Sequence, residues 1–220
     1  MSMVGNLAKA IAPAALLFAT NSFASFVVPS EPVSIKKIVV NGSGCPLGTV
    51  AQNISEDKQA FTLTFSEFVA ETGPGLSPTI ARKNCVVTAT LQVPTGWQYS
   101  IGSFNYRGFM GLDQGIRATH STSYFFEGVG KQGTFAAVKD GPLQEDFVFT
   151  DKIGLTSVFI PDTWSDCNVE RALNINTSIR VANVNPRLYK NAQGLITNDS
   201  IDGQIKQVFG LTWRRCGAAL

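Results

Sequence analysis

The chain has 220 residues, with 18 Lys and Arg against 16 Asp and Glu and a hydrophobic share of 44%. A net charge this close to neutral argues against a nucleic-acid-binding protein, because such binding depends on a concentrated basic surface. The apolar share suffices for a sizeable core, and the length fits one large domain.

The first two dozen residues have the features of a signal peptide. Lys9 gives a weakly positive start, the run AIAPAALLFA is apolar, and Ser22-Phe23-Ala24 places small residues at a cleavage site after Ala24. An uncleaved membrane anchor is the alternative. The apolar run is interrupted by Pro13, however, and falls short of the roughly 20 residues that span a bilayer.

The predicted organisation follows from this cleavage site. We expect residues 1–24 to be a signal peptide, residues 25–34 a short N-terminal lead and residues 35–217 one β-sandwich domain. The mature protein is expected to be secreted, either extracellular or periplasmic if the source is Gram-negative, with no stable membrane insertion.

Four cysteines, Cys45, Cys85, Cys167 and Cys216, indicate two disulfides, because an exported chain folds under oxidising conditions. A zinc site is the alternative, but the intervals of 40, 82 and 49 residues contain no close cysteine pair. Of the three possible pairings, 45–85 with 167–216 is favoured, since shorter loops close at lower entropic cost. Each loop would stabilise the fold by roughly 4 kcal/mol on a chain-entropy argument.

Most of the chain consists of segments in which apolar residues recur with a period of two. In chain order they are SIKKIVVNG, AFTLTFSEFVAE, CVVTATLQV, WQYSIGSF, IRATHSTSYFFEG, DFVFTDKIGLTSVFI, LNINTSIRVANV and SIDGQIKQVFGLTWRRC. Helical patterns are scarce, and only a single turn is expected around Pro78 to Asn84. The sequence therefore predicts an all-β fold, a single antiparallel, jelly-roll-like β-sandwich with about 8–10 strands.

No catalytic residue is predicted. His120 is the only histidine, so a Ser-His-Asp or Cys-His mechanism would have to use it. It shares a strand face with Ile116, Ala118, Thr122 and Tyr124. Hydroxyls of this kind are ordinary strand residues, and no Gly-x-Ser-x-Gly motif occurs, so His120 is interpreted as a structural side chain.

Pairs of carboxylates are the second place to look for catalysis or metal binding. The close pairs are Glu67 with Glu71, Glu145 with Asp146, and Asp199 with Asp202. The last pair is typical of a turn that caps backbone amides, and no calcium-loop pattern occurs. The sequence predicts no metal and no cofactor.

Aromatic residues offer a possible binding surface, because exposed rings on one face can stack on sugars. The candidate binding aromatics are Trp97, Tyr99, Tyr106 and Trp164. Trp97, Tyr99 and Ile101 alternate with polar residues, however, and this pattern favours a place in the core.

Four triplets match the acceptor pattern for N-linked glycosylation: Asn41-Gly-Ser, Asn53-Ile-Ser, Asn176-Thr-Ser and Asn198-Asp-Ser. They are acceptors in a eukaryotic source and turn residues in a bacterial one.

The order of several motifs resembles the domain-of-unknown-function 4360 family of secreted proteins. The motifs are VNGSGCPLGT, AFTLTFSEFVAETGPG, RKNCVVTATLQVPTGWQYSI, YRGFMGLDQGIRAT, YFFEG, LNINTSIRV and DSIDGQIKQVFGLTWRRC. The likeness runs from about Ile38 to Cys216 and implies an exported β domain whose four cysteines occupy the family's cysteine positions. It carries over no active site.

Together these observations favour a secreted, non-enzymatic binding or interaction module, expected to be monomeric, with a polysaccharide or protein ligand. A stapled β scaffold can carry recognition on its loops, and no nucleophile, base and orienting group occur together. One alternative is an extracellular polysaccharide hydrolase or lyase that uses carboxylates brought together from distant strands. Another is a secreted inhibitor or effector that presents a loop such as ETGPGLSPT.

Overall fold

The computed structural model describes residues 29–31, 34–56, 60–130, 132–152, 164–198 and 205–217, so the predicted signal peptide lies outside the described residues. Within these ranges the chain forms twelve strands and one short 3-10 helix, Pro78–Ala81. The strands are β1 (Ser34–Asn41), β2 (Val50–Ile54), β3 (Ala60–Phe65), β4 (Val69–Thr72), β5 (Arg82–Gln92), β6 (Trp97–Leu112), β7 (Ile116–Phe126), β8 (Gly133–Asp140), β9 (Leu143–Lys152), β10 (Leu173–Asn183), β11 (Gly194–Thr197) and β12 (Ile205–Arg215).

The strands form two antiparallel sheets. The five-stranded sheet has the order β1-β5-β10-β7-β8. The seven-stranded sheet has the order β2-β3-β12-β6-β11-β4, and β9 pairs with β6. Residues of both sheets contribute to one buried cluster between them, so the predicted all-β antiparallel sandwich is confirmed.

The strand count is higher than the predicted 8–10. The segment AFTLTFSEFVAE divides into two strands, β3 and β4. Phe65 and Phe68 are both fully buried although they lie three residues apart, and a strand with a period of two cannot point both side chains inward. The chain therefore leaves the sheet after Phe65 and re-enters it at Val69.

Three further strands were absent from the prediction. β2 and β8 are edge strands whose residues are mostly exposed, so they show little apolar alternation. β11 has only four residues, which is too short for a period to be evident.

The alternation in the longer strands places the core. On β7 the side chains of Ile116, Ala118, His120, Thr122 and Tyr124 all point inward, as the sequence predicts. The opposite sheet contributes large aromatic residues from β3 and β6. Burying a large apolar side chain stabilises the fold by roughly 1.5–3 kcal/mol, so these inward rows supply most of the favourable free energy.

Both predicted disulfides are present. Cys45 bonds to Cys85, with a Cα–Cα distance of 5.5 Å, and Cys167 bonds to Cys216, with a Cα–Cα distance of 5.8 Å. The first joins the loop after β1 to the beginning of β5, and the second joins a loop before β10 to the residue that follows β12. Because Cys216 donates its backbone N–H to Gly96, four residues beyond the end of β5, the two disulfides lie at opposite ends of that strand.

None of the helical segments that the structure describes has the length and hydropathy of a membrane span.

Candidate functional site

A cleft with a volume of about 230 Å³ opens at the end of the sandwich that holds the Cys167–Cys216 disulfide. Its walls come from the end of β5 and the turn after it, the start of β6, and the loop 165–171. The polar side chains that line it are Gln92, Thr95, Ser165, Asp166, Asn168, Glu170 and Arg171. Apolar surface comes from Val93, Pro94, Trp97 and Val169, so the cleft offers both kinds of contact.

A tight turn between β5 and β6 forms one wall of the cleft. The backbone N–H of Trp97 donates to the carbonyl of Pro94 over 3.2 Å, and Gly96 has φ +82°, a conformation that glycine adopts without strain. The N–H of Gly96 donates to Asn168 Oδ1 over 2.9 Å, and its carbonyl accepts from the N–H of Cys216 over 2.8 Å. The turn is therefore hydrogen-bonded on both sides of the Cys167–Cys216 disulfide, to Asn168, which follows Cys167, and to Cys216 itself.

The loop 165–171 is also attached to β6. Ser165 donates its backbone N–H to the carbonyl of Tyr99 over 2.9 Å, and its Oγ accepts from the N–H of Tyr99 over 3.1 Å. The side-chain amide of Gln98 donates to the Ser165 carbonyl. These three bonds and the disulfide hold the loop in place before any ligand arrives.

Two ion pairs set the charged groups of the cleft. Arg171 Nε donates to Asp166 Oδ2 over 2.9 Å, and Lys36 pairs with Glu170. The carboxylates of Asp166 and Glu170 are 44% and 52% exposed. Exposed ion pairs contribute little to stability, so their effect is to orient carboxylates that solvent and ligands can still reach.

Two arginines of β12 cover tryptophan rings beside the cleft. The guanidinium carbon of Arg214 lies 4.3 Å from the ring centroid of Trp164, and that of Arg215 lies 4.2 Å from the ring centroid of Trp97. Arg214 also donates from Nε to the side-chain carbonyl of Gln98 over 2.9 Å. Cation–π contacts of this kind fix the orientation of both rings.

The four candidate binding aromatics do not form one exposed face. Trp97 and Tyr99 are only 4% and 2% exposed although both line the cleft, and Tyr106 is fully buried. Burial raises the pKa of Tyr99 well above its ordinary value. Trp164 is the candidate of the four that is partly exposed, and it directly precedes the cleft-lining Ser165.

His120 is a core side chain. Its ring is fully buried, 4.2 Å from the ring of Tyr106 and 6.1 Å from those of Phe135 and Phe149. Neither ring nitrogen has a hydrogen-bond partner among the described residues. Burial lowers the pKa of His120 to about 3, so the ring is neutral and has no contact with solvent through which it could act as a base.

The three carboxylate pairs of the sequence lie in different settings. Glu145 and Asp146 are neighbours on β9 and, in a strand, point to opposite faces. Glu67 precedes β4 and is exposed, while Glu71 lies within that strand, and Asp199 and Asp202 lie outside the described residues. Over the ranges that the structure describes, no group of three or more His, Cys, Asp or Glu side chains is placed to hold a metal ion.

The pair Asp166 and Glu170 was missed by sequence reasoning. The segment DCNVER contains both acids, and its cysteine marks it as a tethered loop, which is the signal that could have found it.

The loop ETGPGLSPT lies elsewhere. It connects β4 to the 3-10 helix, and Leu76 at its centre is 46% exposed. Part of it lines a separate groove together with Arg82 and Arg180.

Comparison with known families accounts for most of the chain. Residues 31–216 match the family described as Domain of unknown function (DUF4360). The chain belongs to the DUF4360 family. This confirms the resemblance carried by the sequence motifs.

The DUF4360 chain is also 36% identical over 186 residues to an "Uncharacterized secreted protein" of Arthroderma benhamiae, a match that covers 84% of this chain and 73% of that protein. Together with the two disulfides, this relationship identifies the DUF4360 chain as a secreted protein.

Among solved structures, TmCBM61 in complex with β-1,4-galactotriose matches the DUF4360 chain with 9% identity and a TM-score of 0.26, over 82% of this chain and 90% of that chain. A superposition this loose supports no inference about the site.

Proposed function

We propose that this DUF4360 protein is a non-enzymatic extracellular binding module that holds a polysaccharide at the cleft between the β5–β6 turn and the loop 165–171. The observation that supports this is the composition of the cleft, which combines apolar surface with seven polar side chains on a backbone fixed by a disulfide. Trp164, a partly exposed residue, directly precedes the cleft-lining Ser165.

The chemistry of the cleft matches that of a sugar ring, which has apolar C–H faces and a rim of hydroxyls. Val169 is 51% exposed and offers apolar contact, while Asn168, Asp166 and Arg171 offer hydrogen bonds. Hydrogen bonds to charged groups contribute roughly 1.5–3 kcal/mol each, more than those between neutral groups.

The volume indicates how much of a polysaccharide enters. Sites for drug-sized ligands hold roughly 300–1,000 Å³, so a cleft of about 230 Å³ fits a short stretch of sugar. We infer that the rest of the chain runs outside the cleft and passes Trp164. The fixed loop favours binding, because little conformational entropy remains to be lost.

A glycan array probed with the secreted mature protein tests this proposal, followed by calorimetry with the glycan that binds best. We expect Glu170→Gln to weaken affinity about tenfold or more, since it removes a charged hydrogen-bond acceptor. We expect Val169→Ser to weaken it less, and Trp164→Ala to weaken binding to long chains more than to short ones.

Two matched controls lie away from the cleft. Glu145 is 50% exposed in an ion pair with Lys139, as Glu170 is with Lys36, and Val184 is 53% exposed, close to the value for Val169. Glu145→Gln and Val184→Ser should leave affinity unchanged. The proposal fails if no glycan binds, if the cleft variants and controls bind alike, or if the cleft variants abolish capture of a specific protein instead.

An extracellular polysaccharide hydrolase is the second candidate, because Asp166 and Glu170 line the same cleft. A glycosidase needs one acid that retains its proton, which requires apolar surroundings. Here each acid side chain is about half exposed and contacts a cation, which is not the apolar setting that such an acid requires, so we prefer a binding role. Release of shorter sugars that is lost in both Asp166→Asn and Glu170→Gln would overturn this preference.

A further inference from the structure

We propose that Asn41, Asn53 and Asn176 each carry an N-linked oligosaccharide when the chain is secreted through a eukaryotic pathway, and that Asn198 does not. This assigns three modification sites and one excluded site, and it does not depend on the proposed function. All four asparagines lie in the acceptor pattern Asn-x-Ser, so the sequence alone does not distinguish them.

The covalent step is a transfer from a lipid diphosphate-linked oligosaccharide. The side-chain amide nitrogen of asparagine forms a bond to C1 of the first sugar, while the bond between that C1 and the donor's phosphate oxygen breaks. The lipid diphosphate is the leaving group, and the amide loses one proton to the surrounding medium.

Three of the four asparagines are accessible. Asn41 is exposed at the end of β1, Asn53 is exposed on β2, and Asn176 is exposed on β10. Both β1 and β2 are edge strands of their sheets. An oligosaccharide on any of these side chains extends into solvent without disturbing the fold.

Asn198 is different because its side chain is fully buried. Its backbone N–H donates to the carbonyl of Phe68, itself a core residue, over 3.3 Å. On its other side, a Cβ added to Gly108 would come within 2.8 Å of the Asn198 Cα, so β6 passes directly against it. A sugar joined to this amide has no route to solvent in the folded protein.

Two of the accessible sites share one surface. Asn41 and Asn176 both lie opposite Val86, one on each side of β5, so they are two strand spacings apart, or about 10 Å. The adjacent residues of β5, Cys85 and Val87, are buried, so this row belongs to the outer face of the five-stranded sheet.

Apolar side chains lie beside both asparagines on that face. Val39, two residues before Asn41, is 46% exposed, and Phe125 is 36% exposed. Phe125 lies diagonally across from Asn176, whose direct partner on β7 is Ser123. Diagonal neighbours are about 7–8 Å apart, so the first sugar at Asn176 can cover the ring of Phe125.

The glycans and the cleft are compatible. Val86 and the cleft-lining Gln92 are six residues apart along β5, which corresponds to about 20 Å. Oligosaccharides on the Asn41 and Asn176 row therefore cover one sheet face and leave the cleft open.

Expression of the full chain in a eukaryotic secretory host, with intact mass measured before and after peptide N-glycosidase, tests the assignment. We expect three oligosaccharides, and each of Asn41→Gln, Asn53→Gln and Asn176→Gln should remove one. Ser178→Ala should remove the oligosaccharide at Asn176, while Ser178→Thr keeps it, which shows that the acceptor pattern is responsible. Enzymatic release in heavy-oxygen water then labels each occupied asparagine.

The glycan occupancy of Asn198 is measured in the wild-type protein, so the result does not depend on whether an Asn198 variant folds. A heavy-oxygen label at Asn198, or the absence of one at any of the other three sites, overturns the assignment. A separate measurement tests the contact between the first sugar at Asn176 and Phe125. Phe125→Ser should lower the melting temperature of the glycosylated protein more than that of the deglycosylated protein. Equal shifts would contradict the contact.

Discussion

Titratable side chains have opposite environments in two regions, the interior around His120 and the cleft around Asp166 and Glu170. His120 is enclosed by aromatic rings and lacks a hydrogen-bond partner among the described residues, whereas both acids of the cleft are about half exposed and contact a cation. Burial keeps the histidine neutral, while exposure keeps the acids available to a ligand. In this fold the sheet interior supplies stability, and the binding role that we propose belongs to the tethered loop.

The largest effect on stability is expected from Tyr106 in the interior. Tyr106 is fully buried and packs on His120 and Phe135, with ring centroids 4.2 and 5.5 Å away. Tyr106→Ala should lower the free energy of unfolding by about 3–5 kcal/mol, measured by urea denaturation, because it leaves a cavity. Glycan affinity of the folded fraction should not change. If affinity falls as well, the separation between interior and cleft is wrong.

The two disulfides close loops of similar length, with sequence separations of 40 and 49 residues. Replacing either pair with alanine should lower the free energy of unfolding by roughly 4 kcal/mol on a chain-entropy argument. Only the loss of Cys167–Cys216 should also weaken glycan binding, because that bond fixes the cleft loop. Calorimetry on both double variants checks this, and equal affinities would contradict it.

The stability of the fold should depend on pH through His120. The folded-state pKa of His120 is lowered to about 3 by burial, whereas the unfolded chain takes up the proton near pH 6.5. Between these values the unfolded state binds more protons, so stability is complete above pH 6.5 and falls as pH falls toward 3. From pH 7 to pH 5 the loss should be about 2 kcal/mol.

Urea denaturation of wild-type protein and of His120→Leu across that range measures the effect. The variant lacks the titrating ring and should show a flatter profile, because most carboxylates remain ionised above pH 5. Identical profiles would mean that His120 is accessible to protons in the folded state, in conflict with the enclosed interior.

Sequence reasoning succeeded where structure follows from local periodicity. The inward row of β7, with His120 at its centre, is evident from alternation alone, because successive side chains of a strand point to opposite faces. The disulfide pairing could also be predicted, since loop length favours the observed connection.

The cleft could not be derived in this way. Its walls meet through bonds between residues far apart in the chain, such as Tyr99 with Ser165, separated by 66 positions, and Gly96 with Asn168, separated by 72. No periodic pattern encodes such contacts. The sequence likewise does not distinguish Trp97, which is buried, from Trp164, which is partly exposed, because this difference also depends on contacts between distant residues.

The smallest effect is expected from an ion pair outside both regions. Arg117 holds Asp140 with two hydrogen bonds, Nε to Oδ1 over 2.7 Å and a terminal nitrogen to Oδ2 over 3.0 Å, and these bonds lower the pKa of Asp140. A lowered carboxyl pKa stabilises the fold above the unfolded-state value and ceases to do so as pH falls, but here solvent screens the pair. Asp140→Asn should therefore change neither the free energy of unfolding, measured in urea, nor glycan affinity beyond experimental error.

Glu170 has nearly the same exposure, 52% against 56% for Asp140, so the variants Asp140→Asn and Glu170→Gln differ mainly in location. If Asp140→Asn weakens binding as much as Glu170→Gln does, location is irrelevant and the cleft is not the recognition site.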